Sequence, residues 1–191
     1  ISIYISNGTD AALGALVVIA NANSSRLHST ADVRGQWTHV AIARESGTIR
    51  FFVNGSLASS ASDTTNYNAT GPTRVGVSST GQSNYWLGYV ADARFVKGTA
   101  VYTAAFTPPT APLSSSGSSL HIKGTDASIV DKSQVSNNLK LVGNTTGSTT
   151  QIKYGNSSIY FDGVGDYLTS ATTSETMVLG TGDFTIECWL Y

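Results

Sequence analysis

Apolar positions along the chain recur with a period of two and come in short runs. Ile1-Ser2-Ile3-Tyr4-Ile5 alternates, and Asn7-Gly8 after it offers a turn. Leu16 to Ala20 is an unbroken apolar run, the pattern of a strand covered on both faces. Trp37-Thr38-His39-Val40-Ala41-Ile42-Ala43-Arg44 alternates cleanly, stops at Glu45-Ser46-Gly47, and resumes as Thr48-Ile49-Arg50-Phe51-Phe52-Val53. Asn54-Gly55 then predicts a two-residue hairpin turn, because both residues tolerate positive φ. Further strands are predicted at Thr73 to Val77, Trp86 to Val96, Leu120 to Lys123, Asn138 to Val142, Ser158 to Asp162, Tyr167 to Ser170 and Asp183 to Tyr191. Asp162-Gly163 and Gly165-Asp166 mark tight turns. No window holds a 3.6-residue apolar stripe longer than about two turns. Val96 to Phe106 reads as irregular chain with at most a short helical turn. The pattern as a whole predicts an all-β fold, an antiparallel two-sheet sandwich with negligible helix.

Composition sharpens this picture. Ser and Thr supply 50 of the 191 residues and Gly another 19, while only 12% are charged and the formal net charge is −1. Exposed positions are therefore filled by hydroxyls rather than charges. Eleven basic against twelve acidic residues leave no electrostatic footprint for a nucleic acid. The longest apolar stretch, Ala11 to Ala20, is about half a membrane span, so membrane insertion is not expected. A single cysteine excludes an internal disulfide framework and a multi-cysteine zinc site. Cys188 lies in the alternation Phe184-Thr185-Ile186-Glu187-Cys188-Trp189 and is expected to be a buried thiol. Pro108-Pro109-Thr110-Ala111-Pro112 is stiff, and residues 114–119 form a Ser/Gly-rich hinge. This divides the chain into 1–113 and 120–191. Each piece has one end inside an apolar alternation, and each needs a complement to bury its apolar face.

Groups for catalysis are sparse. The histidines are His28, His39 and His121, without His-x₃-His or His-Glu-x-x-His spacing, and no Gly-x-Ser-x-Gly elbow occurs. Glycoside hydrolysis needs two carboxylates facing each other across a groove, and the alternation offers only Asp183 with Glu187. Catalysis is not expected. Asp162 and Asp166 flank a Gly-Val-Gly turn and are the candidate metal ligands, since calcium takes oxygens from turns. The alternative is that both carboxylates bind turn amides with no metal. Tyr67, Tyr85 and Trp86 lie near turns and are the candidate carbohydrate-binding residues. Trp37 and Trp189 are expected in the core.

Several of these segments resemble laminin-G-like, concanavalin A-like jelly-roll modules of the kind repeated in phage structural and bacterial surface proteins. Trp37 to Arg44 is similar to the family's Trp-x-His-Val-Ala strand, and Gly47 to Gly55 to the strand ending in Val-Asn-Gly. Gly88 to Phe95, Ala100-Val101-Tyr102 and Phe106-Thr107-Pro108-Pro109 resemble its closing segment. Tyr160 to Leu168 and Gly182 to Trp189 resemble its opening segment, which in the family comes first. The halves thus stand in permuted order. One reading is a window on a tandem array: the closing half of one module (1–113), a linker (114–119) and the opening half of the next (120–191). The other is a permutant whose halves close on each other. The resemblance implies no resident cofactor, with a structural calcium near the sandwich rim as the one inorganic candidate. It also implies a non-catalytic structural or adhesive repeat of an extracellular fibre, appendage or virion protein. Its partners would be further copies or adjacent modules and a cell-surface glycan. The alternative is a carbohydrate-binding module attached to a polysaccharide-degrading enzyme.

Overall fold

Every strand pair in the computed structural model is antiparallel. The structure describes residues 2–5, 13–20, 25–68, 72–77, 84–125, 128–170 and 178–191, and the Asn7-Gly8 turn lies outside them. Its strands are β1 (Ser2–Ile5), β2 (Leu16–Ala20), β3 (Ser25–His28), β4 (Thr38–Glu45), β5 (Thr48–Val53), β6 (Ser56–Ser62), β7 (Arg74–Val75) and β8 (Leu87–Lys97). Then follow β9 (Leu120–Gly124), β10 (Ile129–Asp131), β11 (Leu139–Val142), β12 (Thr146–Ser148), β13 (Ser158–Asp162), β14 (Tyr167–Ser170) and β15 (Phe184–Leu190). Among the described residues there is no helix, and 98–119 is irregular chain. β5 and β6 are joined by Asn54 and Gly55, both at positive φ, as the dipeptide predicts. The strands that the apolar pattern does not reveal are short or polar. β6, Ser-Leu-Ala-Ser-Ser-Ala-Ser, is largely exposed and carries no apolar period.

A nine-stranded sheet forms the main layer, in the order β10-β9-β8-β15-β4-β5-β6, with β13 also pairing β8 and β12 pairing β13. β15 lies between β4 and β8 and bonds to both, so residues 1–113 and 120–191 contribute neighbouring strands to one sheet. Two three-stranded sheets, β1-β2-β3 and β11-β14-β7, complete the fold. One apolar cluster joins the sheets. Val40, Ile42, Ile49, Phe51, Val90, Ile122, Ile159, Phe161, Phe184 and Leu190 of the large sheet meet Leu16, Leu27 and Leu168 from the smaller ones. Strand alternation puts all these large-sheet side chains on one face. The chain is an all-β antiparallel sandwich.

The opposite face of the large sheet is also covered. Residues 98–119 run over it as a strap, and a second small cluster of Ala41, Ala43 and Phe52 packs beneath Ala100, Tyr102 and Phe106. Every residue from Thr38 to Arg44 is consequently buried. The strap docks on the β5–β6 turn, where the Phe106 amide donates to the Gly55 carbonyl at 2.9 Å. A Cβ on Gly55 would overlap the Phe106 carbonyl, and its φ of 77° already disfavours any other residue.

Cys188 faces the main core, as its alternation predicts. Burial, reinforced by the nearby Glu187 charge, pushes its thiol up to about 12. Cys188 should therefore resist a water-soluble thiol reagent at pH 8 in the native protein and react only on unfolding. The labelling rate should track the denaturant melt followed by tryptophan emission.

Candidate functional site

Beneath the strap, the alternation that sends apolar residues to the core sends polar ones into a second buried layer. The register aligns Ala41 of β4, Glu187 of β15, Arg94 of β8 and His121 of β9 in one cross-strand row. Between Ala91 and Arg94 the β8–β15 register shifts by one residue. Asp92 sits in this bulge at φ 56°, a conformation Asp adopts more readily than most residues. The bulge keeps Ala91 and Arg94, three residues apart, on the same covered face, opposite Trp189 and Glu187.

Glu187, 1% exposed, is the hub. Its Oε1 accepts two N–H bonds from Arg94, through Nε at 2.8 Å and through Nη2. Its Oε2 receives the Tyr102 hydroxyl at 2.8 Å and the His39 Nε2 at 3.1 Å. An ionised carboxylate is acceptor-only, so the proton on the His39 contact belongs to Nε2. Around the His39 ring stand Trp189, Phe106 and Tyr102, at centroid distances of 5.0, 5.7 and 6.2 Å. Burial pushes the Glu187 carboxyl up, but the hydrogen bond from His39 and the charge and bonds of Arg94 outweigh it and hold the carboxyl below its usual range.

A second set lies beside the first. His121 Nε2 meets Asp92 Oδ1 at 2.6 Å, and His121 Nδ1 meets Ser115 Oγ at 2.8 Å. Asp92 also accepts the Leu113 amide and lies 3.2 Å from Lys123 Nζ. Burial raises the Asp92 carboxyl, and the His121 and Leu113 bonds and the Lys123 charge more than reverse this. Serine, histidine and aspartate are connected here as a nucleophile, base and acid would be. The Asp92–His121 bond, however, joins β8 to β9, and the Ser115 and Leu113 bonds tie the strap to them. His121 is fully buried, and the crevice between the sheets, lined by Val75, Leu120, Ile122, Leu139 and Leu168, lies elsewhere and has no room for a water molecule. The hinge-like residues 114–119 belong to the same network. The Ser114 carbonyl accepts from Arg94 Nη1, Ser118 is 5% exposed, and the Ser119 amide donates to Phe95. Asp183, the other acid of the alternation, accepts the Ser46 amide at the start of β15.

The aromatic candidates do not share a surface. Tyr67 packs edge-on against Phe184 at 5.8 Å, donates its hydroxyl to Asp63, and has the Arg44 guanidinium 5.0 Å from its ring centroid. Trp86 packs against the main core and donates its backbone amide to Gly76. Tyr85 is half-buried next to it in sequence. Tyr67 adjoins the start of β15, whereas Trp86 lies beside Gly88, close to Tyr191 at its end. Seven residues of strand separate those ends, roughly 23 Å at the rise of extended chain.

Asp162 and Asp166 do come together, around their turn. Asp166, fully buried, accepts the Asn144 amide on Oδ1 and the Asp162 amide on Oδ2. Asp162 accepts the Val164 amide on Oδ1 at 2.7 Å and the Asn144 side-chain amide on Oδ2 at 3.3 Å. N–H donors face these oxygens, which suits a turn clamp. Calcium instead needs six to eight oxygen ligands, and no group of three or more acidic, His or Cys side chains suited to a metal occurs among the described residues. The residues present therefore do not fit calcium as they are arranged.

The apolar pattern alone does not reveal a row of aromatics that the tertiary structure assembles. Trp37, immediately before β4, stands opposite Tyr191, immediately after β15. Tyr191 exchanges backbone bonds with Tyr89 of β8, whose partner on β13 is Tyr160. Ring centroids along this row are 5.5, 5.9 and 5.0 Å apart, and all four side chains are half-buried. Trp37 is thus not a core residue. It points to the strap face at its uncovered end, whereas Trp189, one step along the same face, is 5% exposed. Gly88 permits the close approach, since a Cβ there would overlap the Tyr191 carbonyl.

Glu187→Gln should strand the Arg94 charge and cost about 3–5 kcal/mol in urea unfolding. Glu187, Asp92, Asp131 and Asp63 all titrate below their ordinary range when folded. Their stabilisation is present above the unfolded carboxylate range near pH 4 and lost as pH falls through the folded values. The unfolding free energy should therefore fall between about pH 5 and 2, and more shallowly in Glu187→Gln than in the parent.

In comparisons with known proteins, a laminin G family model described as the concanavalin A-like lectin/glucanases superfamily matches residues 2–108. Neither the curated proteins nor the solved structures return a match. The matched span covers β1 to β8 and the first part of the strap, including Trp37, His39, Tyr89 and Arg94. With more than half its length matched, and with this sandwich, the chain belongs to the laminin-G-like family of the concanavalin A-like superfamily, whose members are carbohydrate-binding or adhesive modules in general.

Proposed function

We propose that this chain is a non-catalytic adhesive unit of an extracellular fibre, appendage or virion protein, repeated with further copies or adjacent modules, and that it holds a surface glycan. The observation that carries this reading is the state of its buried acids. Glu187 and Asp92, the two acids buried beneath the strap on the face of the large sheet that bears the aromatic row, are each saturated by donors. A glycoside hydrolase needs a proton donor and a second carboxylate open to substrate. What the surface offers instead is hydroxyls and half-buried aromatic rings, groups that adsorb a sugar without attacking it.

The row of aromatics also favours a second reading, in which the module delivers a polysaccharide-degrading enzyme to its substrate. The two readings share the glycan and differ in what the rest of a longer protein does.

Incubation with a panel of soluble polysaccharides should show retention of the protein by at least one of them in affinity electrophoresis. No new reducing ends should appear. Release of reducing ends would overturn the non-catalytic reading, and a lack of retention across the panel would overturn the glycan.

A further inference from the structure

We infer that the cross-strand row Trp37–Tyr191–Tyr89–Tyr160, with Asp162 and Asn144 at its margin, is the glycan-contact surface, and that it takes a neutral pyranose chain. The inference rests on the glycan reading above and names the surface and the ligand chemistry.

The row runs across β4, β15, β8 and β13 at a single register, so the sheet itself spaces the rings. Its three steps of 5.5, 5.9 and 5.0 Å each approximate the advance of one sugar unit. Adjacent rings are inclined by 55°, 74° and 41°, a twisted rather than flat platform, suited to a chain that rotates from residue to residue. The C–H face of a pyranose is apolar and its rim is ringed by hydroxyls. An aromatic surface binds the first, and acceptors and donors beside it bind the second.

Strand alternation supplies those partners. Asp162 lies two residues beyond Tyr160 on β13 and so shares its face, and Leu87, paired with Asp162, lies two residues before Tyr89. Leu87 is 69% exposed and extends the apolar strip. Asp162 is half-exposed, and its Oδ2 engages the exposed Asn144 amide at 3.3 Å, a long bond that sugar hydroxyls can share. The Asp162 charge repels an anionic glycan. On the same face Lys153 is held over the Trp189 ring at 3.7 Å. A neutral chain is the occupant this combination fits.

The test is affinity electrophoresis of the whole chain in hydroxyethylcellulose, laminarin, galactomannan and, as the anionic comparison, alginate. At least one neutral polymer should retard the parent and alginate should not. Tyr89→Ala and Tyr160→Ala should weaken retention at least tenfold, while Tyr67→Phe and Tyr85→Ala leave it unchanged. Thermal melts check each variant. Trp37→Phe keeps a ring in place and supplies an independent readout: it should abolish the change in tryptophan emission on adding the retarding polymer, whereas Trp86→Phe should not. Retention undiminished in the row variants, or lost in Tyr85→Ala, would overturn this surface while leaving glycan binding standing. Retention by alginate alone would overturn the neutral ligand. A parent retarded by nothing would overturn the glycan reading and this surface with it. Row variants that convert a dimer to a monomer with retention unchanged would make the strip a contact between copies and overturn the inference.

Discussion

The Glu187 carboxylate, buried in the middle of β15, is the interaction on which the covered face depends. Its side chain binds Arg94 on β8 and His39 on β4, the two strands that flank it, and Tyr102 from the strap. A charge taken out of water is tolerated only when paired and fully hydrogen-bonded. Glu187 meets that condition by drawing together three segments distant in sequence. Arg94 passes the restraint on through Ser114, and Asp92 and His121 repeat it at Leu113 and Ser115. The strap has little regular structure of its own. It is held by side chains that reach up from the sheet.

Two layers of different chemistry therefore lie on the two faces of one sheet. The core face is apolar but for buried residues such as Arg44, which packs on Phe184 and Tyr67, and it joins all three sheets. The strap face is a polar network with an aromatic border. Where the strap ends, the sheet continues, and its outermost row stays half-exposed as Trp37, Tyr191, Tyr89 and Tyr160. Cover and platform are parts of the same surface, separated by one or two residues of each strand. Residues two apart in a strand thus serve different ends, as Trp189 and Tyr191 do.

Much of the fold is legible in the sequence. Alternation locates β4, β5, β8, β13 and β15 within a residue or two, because their core-facing positions are mostly large and apolar. The hairpin at Asn54-Gly55 follows from backbone chemistry alone. β3, β6, β10 and β12 escape because a short or polar strand is stabilised by its neighbours' hydrogen bonds, which leave no local pattern. The candidate site is less legible. Tyr67, Tyr85 and Trp86 are selected by closeness to turns, yet Tyr67's ring and hydroxyl are committed to Phe184, Arg44 and Asp63. Asp162 and Asp166 do meet at one turn, and the donors they face there are backbone and side-chain amides.

By itself the sequence determined the class of fold, the positions of the long strands, the burial of Cys188 and the near absence of net charge. Local patterning suffices for these, since alternation states which residues share a face. It does not state which face meets water. Thr38 to Arg44 sets large Val40 and Ile42 on one side and small Ala41 and Ala43 on the other, and is buried throughout because the strap covers the second side. Only the tertiary structure decided that covering, together with the register that sets Trp37, Tyr191, Tyr89 and Tyr160 side by side. The physical reason is that a cross-strand row is fixed by hydrogen-bond pairing among β4, β15, β8 and β13, strands that lie far apart in the sequence, as Thr38 and Leu190 do.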